Sequence, residues 1–265
     1  MSNPVSEVTI KAILDDNPGY RGSVHEDSVA KAQGYKAALI PGAFVYDYAT
    51  RLALDLWGSD WMSQGGIQVR FRRPVYDGDT LTLAARPSAD GTVDVTVRNE
   101  DDEIVVLGTM SAAHGTPAPT LADMKFSAPP ATKPALSVAD LVPGLQFFTT
   151  ERVIDDNTLN ISRRAMGNAL PVFVDNAIAH PGCMVRLTMF DVLSSYKFPL
   201  APVFTSVETQ NFAVLKAGSI VSTSAQITKV FERNGKIFFE SEEFLVADRS
   251  VIIARHLRTN LVASA

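Results

Sequence analysis

LIPGAFVYDYATRLALDLWG, residues 39–58, has a counterpart in IAHPGCMVRLTMFDVLSSYK, residues 178–197, although few residues are identical. Gly42 aligns with Gly182 at an offset of 140 residues, and in each copy a second glycine follows 36 positions later. Apolar residues in both stretches recur at spacings of 4, 3 and 4, which is the pattern of one helix face. We therefore predict two copies of one unit, each built on a central helix.

The segments around each helix have the alternation and the turns of antiparallel strands. The predicted strands are Val8–Leu14, Ile67–Phe71, Thr80–Ala85, Val93–Val97, Ile104–Ala112, Gln146–Val153, Val203–Phe212, Ile220–Phe231, Ile237–Val246 and Val251–Leu261. A helix wrapped by a long antiparallel sheet, occurring twice in tandem, predicts an α+β double hotdog. This fold is the covalent version of a symmetric dimer.

The repeat divides the chain into three predicted parts. These are an N-terminal hotdog copy over 1–113, a proline-rich linker over 114–140 and a C-terminal copy over 141–265. Residues 114–135 hold five of the fifteen prolines and little periodicity, as is typical of a connecting segment. We expect a short helix there, around Leu121–Met124.

Composition excludes several classes of partner. The 265 residues are 46% hydrophobic and 20% charged with a net charge of −5, which argues against a broad nucleic-acid or anionic-membrane surface. No apolar run approaches the roughly 18 residues of a membrane span. The N-terminus has no signal-peptide pattern, Cys183 is the single cysteine, and no cluster has zinc-ligand spacing. We expect a cytoplasmic protein that binds no metal.

Short motifs add a family resemblance over most of the chain. The segments that carry it are Val24–Asp27, Ala30, Gly34-Tyr35, Leu39–Gly42 and VRFRRPVYDGDTL (69–81) in the first copy, with AIAHPG (177–182) and SVETQNFAVLKAG (206–218) in the second. Together they resemble the MaoC-like family of (R)-specific enoyl-CoA hydratases and acyl dehydratases. That family's signature reads D-x-N-P-(I/L)-H-x-D, followed by a turn that opens the central helix.

The resemblance implies roles for individual residues. His25 matches the histidine that moves the proton at the thioester C2–C3 bond, Asp27 matches the acid after it, and the Gly42 N–H matches the donor to the thioester oxygen. The motif's first Asp belongs five residues before the histidine, where Tyr20 stands. Tyr20 is a candidate catalytic residue, as a phenol donor in place of the missing acid, and the alternative is an ordinary turn aromatic. A second register exists, because Asp15–Pro18 spells D-x-N-P, and its carboxylates can fold back towards His25.

The second copy departs further from the signature. Residues 168–173 align with D-x-N-P-I-H, with Asn168 in place of the Asp and Phe173 in place of the histidine. The histidine nearest to this segment is His180, beside the Pro-Gly turn. Neither copy holds the complete acid–histidine pair, so we expect the first copy to supply His25 and the second to shape an acyl tunnel. Cys183 is expected to pack in the core.

Further residues are candidate substrate contacts. Tyr46 lies within the first central helix, where it can line a tunnel, and Asn168 and His180 belong to the second copy. Arg70 and Arg72 share a strand face and suit the phosphates of coenzyme A or an acidic carrier protein. The alternative for these arginines is an ordinary solvated strand face.

The resemblance implies a lyase that hydrates or dehydrates an acyl thioester, or a related small acyl compound, without a metal or redox cofactor. One alternative is another reaction in the same cavity, such as thioester hydrolysis, elimination or a cyclisation. Another is a non-catalytic acyl-binding subunit. The expected partner is a small acyl substrate, with CoA or a carrier protein as candidate carrier, and a homodimer is the candidate assembly.

Overall fold

The computed structural model of the chain describes residues 5–160, 163, 165–167, 170–198 and 202–264. Within these residues ten strands form one antiparallel sheet that curves around two long helices. The strands are β1 (Ser6–Lys11), β2 (Gly66–Phe71), β3 (Thr80–Pro87), β4 (Val93–Arg98), β5 (Ile104–Ser111), β6 (Arg152–Val153), β7 (Val203–Asn211), β8 (Ile220–Arg233), β9 (Lys236–Ala247) and β10 (Val251–Ser264). The helices are α1 (Asp27–Ala32), α2 (Gly42–Trp57), α3 (Asp156–Asn160), α4 (Pro171–Asp175) and α5 (Pro181–Ser195).

The order of the strands displays the internal repeat. It runs β1-β3-β4-β5-β2 and then β7-β10-β9-β8-β6, so the second half repeats the first in reverse. At the centre β2 pairs with β7, where Gly66 is opposite Gln210 and Arg70 is opposite Ser206. The offset of 140 residues maps Gly66 to Ser206 and Arg70 to Gln210, so the contact is that of a two-fold dimer. The fold is therefore the predicted α+β double hotdog.

The central helix of the first copy is a core helix because it is apolar on almost every side. Eleven of its residues between Ala43 and Leu54 are buried. The helix follows Pro41 and stops at Gly58, whose φ of +63° suits glycine. Helix α5 has Pro181 in its first turn, where a missing N–H removes no helical hydrogen bond. The two helices pack against each other inside the sheet.

Two predicted strands are shorter than expected. Strand β1 ends at Lys11 rather than continuing to residue 14, because the Leu14 N–H donates to the Asp77 carboxylate instead of a neighbouring strand. Of the predicted strand over 146–153, only Arg152–Val153 is regular. The Phe148 N–H within it donates to the Ser195 hydroxyl, which interrupts the ladder. The remaining predicted strands and both long helices agree with the structure to within a few residues at each end.

The predicted linker has little regular structure, with short 3₁₀ turns at Leu121–Asp123 and Val138–Asp140. The division into 1–113, 114–140 and 141–265 stays a prediction. No helix among the described residues is long and apolar enough to cross a membrane.

Candidate functional site

The loop that carries His25 is fixed to the segment that leads into α2. The Leu39 N–H donates to the Val24 carbonyl at 2.9 Å, and His25 Nδ1 lies 2.8 Å from the Leu39 carbonyl oxygen. Because a carbonyl only accepts hydrogen bonds, Nδ1 carries the ring proton of the neutral imidazole. The basic nitrogen of the ring is therefore Nε2, on a side chain anchored three residues before Gly42.

The surroundings of His25 keep its ring neutral. Burial lowers its pKa below the ordinary value, and the positive charge of Arg186 acts in the same direction. The hydrogen bond to Leu39 and the negative charge of Asp15 oppose this shift and only reduce it. A neutral imidazole at physiological pH can accept a proton, as a general base must.

Tyr20 and Asp15 lie beside this histidine. The Tyr20 hydroxyl donates to Asp15 Oδ1 at 2.5 Å, and the Tyr20 ring centroid is 5.1 Å from that of His25. Asn17 and Pro18 start the 3₁₀ turn that positions the tyrosine, with the Asn17 side chain accepting the Gly19 N–H at 2.9 Å. Burial raises the pKa of Tyr20, as does its bond to Asp15, so the phenol stays protonated. Asp15, from the second register of the motif, thus lies at the same site as His25, from the first.

A cation from the second copy completes this cluster. Arg186 on α5 lies with its Cζ 5.8 Å from the Phe44 ring centroid, and its charge acts on both Tyr20 and His25. Sequence reasoning missed this residue. Its signal was a single charged side chain in the first two turns of the predicted second central helix.

Gly42 at the start of α2 is partly exposed and close to one aromatic ring. A Cβ at this position would lie 2.8 Å from Cδ1 of Phe204, so glycine leaves the space that the ring needs. The first N–H groups of a helix have no partner within the helix and attract negative charge. Gly42 therefore presents a candidate oxyanion donor near His25.

The equivalent helix start in the second copy is filled by a side chain. The Gly182 N–H donates to Asp47 Oδ1 at 2.6 Å, and Asp47 Oδ2 lies 2.9 Å from His180 Nδ1. The Cys183 N–H also approaches that nitrogen, at 3.3 Å, but it is closer to the His180 carbonyl at 3.0 Å. We therefore assign the Nδ1 proton to the bond with Asp47. Since Asp47 and His180 are fully buried, this helix start is sealed from solvent.

Two further residues of the second copy are core residues. Phe173, which aligns with the family's histidine, is fully buried with its ring 6.0 Å from that of His180. Cys183 is buried as predicted, and burial raises the pKa of its thiol to about 12, so it is not a thiolate nucleophile at neutral pH. Among its described residues, the second copy therefore lacks the groups that surround His25 in the first.

We expect Gly182→Ala to destabilise the fold. Its Cβ would lie 2.6 Å from both Cβ and Cγ of Asp47, so the carboxylate would leave the Gly182 N–H and His180. Losing buried polar partners costs about 1–3 kcal/mol in the free energy of unfolding, measurable by urea titration. Gly42→Ala is the matched control, because there the Cβ meets only a partly exposed ring that can rotate. An equal loss in the two variants would contradict the role given to Asp47.

Asp27 has a different environment from the rest of the cluster. It is exposed, its Oδ1 accepts the Ala38 N–H at 2.7 Å, and its Oδ2 lies 2.8 Å from Lys31 Nζ. It is the first residue of α1, whose N-cap is Glu26. Both bonds stabilise the loop, so we assign Asp27 a structural role here rather than the proposed catalytic one.

The other predicted contacts differ in their surroundings. Arg70 and Arg72 are exposed, and neighbours on β2 such as Val69 are buried, so the arginines lie on the outer face of the sheet. Tyr46 is fully buried on α2, and the His180 side chain is hydrogen-bonded to Asp47. Asn168 lies outside the described residues. Among those residues, no group of three or more His, Cys, Asp or Glu side chains has an arrangement that can hold a metal ion.

The fold belongs to a recognisable structural class. A protein of Chloroflexus aurantiacus described as a MaoC domain protein dehydratase matches 100% of this chain and 96% of its own length, with a TM-score of 0.63 and 15% identity. A second structure, a MaoC-like dehydratase, matches 100% and 97% with a TM-score of 0.60 and 16% identity. A conserved hypothetical protein of Mycobacterium tuberculosis with a double hotdog fold matches 98% and 96%, with a TM-score of 0.61 and 14% identity.

At these identities the similarity concerns the fold, and this chain has the double-hotdog fold of MaoC-like dehydratase structures. A protein of Novosphingobium aromaticivorans described as a thioesterase also matches 97% of the chain and 95% of its own, with a TM-score of 0.51 and 15% identity. No protein-family model and no curated protein matches the sequence at a significant level. The reaction must therefore be argued from the residues of the site.

Proposed function

We propose that this chain is a hydro-lyase that adds water reversibly across the C2–C3 double bond of an enoyl thioester. The proposal rests on one observation above all. The Leu39 carbonyl holds the proton on Nδ1 of His25, which leaves Nε2 as a base on a side chain tied to the start of α2. The reaction needs at least a base held in position and a hydrogen-bond donor for the thioester oxygen, and a helix N-terminus can supply that donor.

In the proposed reaction, Nε2 of His25 takes a proton from water while the water oxygen bonds to C3. The C2–C3 π electrons move towards the thioester carbonyl, and its oxygen becomes an enolate. The Gly42 N–H donates to that oxygen and lowers the energy of the transition state. The proton on His25 then passes to C2, which regenerates the neutral histidine and gives a 3-hydroxyacyl thioester.

Asp15 and Tyr20 take the place of the family's missing acid in this proposal. Their 2.5 Å hydrogen bond orients the phenol beside His25, where the pair can position the attacking water. The negative charge of Asp15 also favours the protonated histidine that forms during the reaction. A missing general acid–base group typically costs about 10²–10⁴-fold in rate, so a substitute is needed for efficient turnover.

The proposal assigns one active site to the chain. The second copy has Phe173 in place of the histidine, and Asp47 occupies its helix N-terminus. That copy contributes Arg186 to the first site instead, where the cation can favour the developing enolate. The acyl group is proposed to be carried on CoA or on a carrier protein.

The direct experiment is an ultraviolet assay with crotonyl-CoA and a longer enoyl-CoA. The proposal predicts loss of the enoyl absorbance, reversed when 3-hydroxyacyl-CoA is supplied instead. A folded protein that changes neither substrate in either direction would contradict it.

We expect the pH dependence of hydration to report His25. Because burial lowers its pKa, kcat/KM should be constant at neutral pH and fall about tenfold per pH unit only below an inflection under roughly 6.5. The raised pKa of Tyr20 predicts no loss from phenol ionisation up to roughly pH 10. Initial rates at low substrate concentration measure this profile. An acid limb centred above pH 7 would show that another group, or a solvated histidine, controls the rate.

A further inference from the structure

The two halves of the sheet differ in what they present to the helices. In the first half the buried side chains of the inner face are apolar, and they include Leu81, Leu83, Val95, Val97 and Met110. In the second half a row of buried polar residues occupies the inner face. We call Thr209, His256, Arg258 and Asn260 the polar row. A sheet that served only as core would not need this row, because buried polar groups require partners.

The polar row is only partly paired. Thr209 Oγ1 lies 3.0 Å from His256 Nδ1. Arg258 Nε and Nη2 donate to the two carboxylate oxygens of Glu243 at 2.9 and 2.7 Å, and Nη2 also lies 3.0 Å from the Val185 carbonyl and 2.9 Å from the Thr188 hydroxyl. Burial alone would raise the pKa of Glu243, but the charge and hydrogen bonds of Arg258 more than offset this and hold it below its ordinary value. The pair is therefore ionic and its net charge is zero.

Other polar atoms of this region have no partner. Among the described residues, the Arg258 Nη1, the Asn260 Nδ2 and the His256 Nε2 are buried without a hydrogen bond. Tyr46 faces the row from α2: burial raises the pKa of its phenol, while a hydrogen bond with Thr209 and the charge of Arg258 act in the opposite direction. Burial lowers the pKa of His256 to about 3, so its ring is neutral. Buried polar atoms usually find partners, so three unpartnered atoms in one region suit a polar ligand group.

A single aromatic ring separates these atoms from the candidate active site. The Arg258 Cζ lies 4.7 Å from the centroid of Phe204, and the same ring packs against Gly42. Phe204 is partly exposed and also contacts the edge of Phe71 at 4.9 Å between centroids. If this ring rotates away, the oxyanion donor and the polar row share one space.

We propose that the polar row and Tyr46 bind an oxygen atom on the acyl chain of the substrate, beyond the reacting carbons. This inference rests on the proposed function. The thioester lies at Gly42, the chain passes Phe204, and its oxygen accepts from Arg258 Nη1 and Asn260 Nδ2. Because Glu243 already neutralises Arg258, the group that fits is a neutral carbonyl or hydroxyl oxygen. The preferred substrate is therefore an oxygenated acyl thioester rather than a plain hydrocarbon chain.

The test compares binding of two unreactive ligands, hexanoyl-CoA and 5-oxohexanoyl-CoA, by titration calorimetry. One or more buried hydrogen bonds predict that the oxo compound binds about 3–10-fold more tightly. Tyr46→Phe and Asn260→Leu should each reduce that preference while leaving the Kd of hexanoyl-CoA nearly unchanged, and circular dichroism checks that both variants fold. Hexanoyl-CoA is the internal control, because it shares the thioester and the CoA.

Equal affinity for the two ligands, no binding of either, or a preference that survives in both variants would overturn the inference. The comparison is independent of turnover. An oxo preference in a protein that fails to hydrate crotonyl-CoA would support the polar row while refuting the proposed reaction. Hydration of crotonyl-CoA without an oxo preference would support the proposed reaction while refuting the role of the polar row.

Discussion

Replacing His25 by alanine is expected to reduce kcat/KM for enoyl-CoA hydration by about 10²–10⁴-fold, the usual contribution of one general acid–base group. The reason is that Nε2 of this ring is the proposed proton acceptor, with its tautomer fixed by the bond to the Leu39 carbonyl. Fold stability should change little, because the ring is anchored through that one carbonyl and lies at the edge of the core. Steady-state rates of wild type and variant measure the effect.

The matched control for His25→Ala is Asp27→Asn in the same loop. Asp27 is exposed and holds the Ala38 N–H and Lys31, so its loss should affect kcat/KM by less than a factor of about ten. If Asp27→Asn lost as much activity as His25→Ala, the catalytic role implied by the family motif would apply to Asp27 after all. If neither variant lost activity, the site would lie elsewhere.

Arg258→Leu is expected to destabilise the fold more than any other substitution proposed for this chain. It would leave Glu243 fully buried without its counterion, and breaking a buried ion pair from one side costs about 3–5 kcal/mol in the free energy of unfolding. Equilibrium denaturation in urea measures the loss.

Two controls separate charge burial from a general effect of removing arginine. Arg249→Leu removes the partner of Glu151 from an exposed pair, in which Arg249 is 77% accessible, and should cost less than about 1 kcal/mol. The double variant Arg258→Leu with Glu243→Leu should recover part of the lost stability, since it removes the uncompensated charge. A double variant less stable than Arg258→Leu alone would contradict this explanation.

Much of the fold could be predicted because the two copies keep the same spacing between equivalent residues. The offset that aligns Gly42 with Gly182 also aligns Gly78 with Gly218, and both turn glycines have positive φ, of +84° and +86°. Helix periodicity and Asp-Gly turns are local signals, so they locate elements without tertiary information. Strand ends such as that of β1 depended on side-chain partners far along the chain, and these have no local signal.

Only the site residues that lie close together in the sequence could be predicted. His25, Tyr20 and Gly42 lie within one stretch of sequence, and the spacing of the family motif is enough to single them out. Arg186 belongs to the other copy, and its position near His25 depends on how the two central helices pack. Asp47 likewise crosses the pseudo-two-fold axis to reach Gly182. Such contacts over more than 100 residues cannot be read from a motif in a single sequence.

The polar row could not be predicted from the sequence for a different reason. Ala254, His256, Arg258, Asn260 and Val262 alternate along β10 with less buried residues, so the inner face of this strand is largely polar. A rule that places polar residues outside assigns such a strand the wrong way round. The ion pair with Glu243 on β9 is what makes the burial of Arg258 possible, and that pairing becomes visible only in the sheet register.

The central claim is that His25 directs water to C3 of an enoyl thioester, and product analysis in water labelled with heavy oxygen tests it most directly. Crotonyl-CoA would be incubated with wild type and with His25→Ala, and the products would be resolved by mass spectrometry. We predict 3-hydroxybutyryl-CoA with one heavy oxygen on C3 for wild type, and almost none for the variant. Heavy oxygen in a released carboxylate, with free CoA, would instead establish thioester hydrolysis and contradict the proposed reaction.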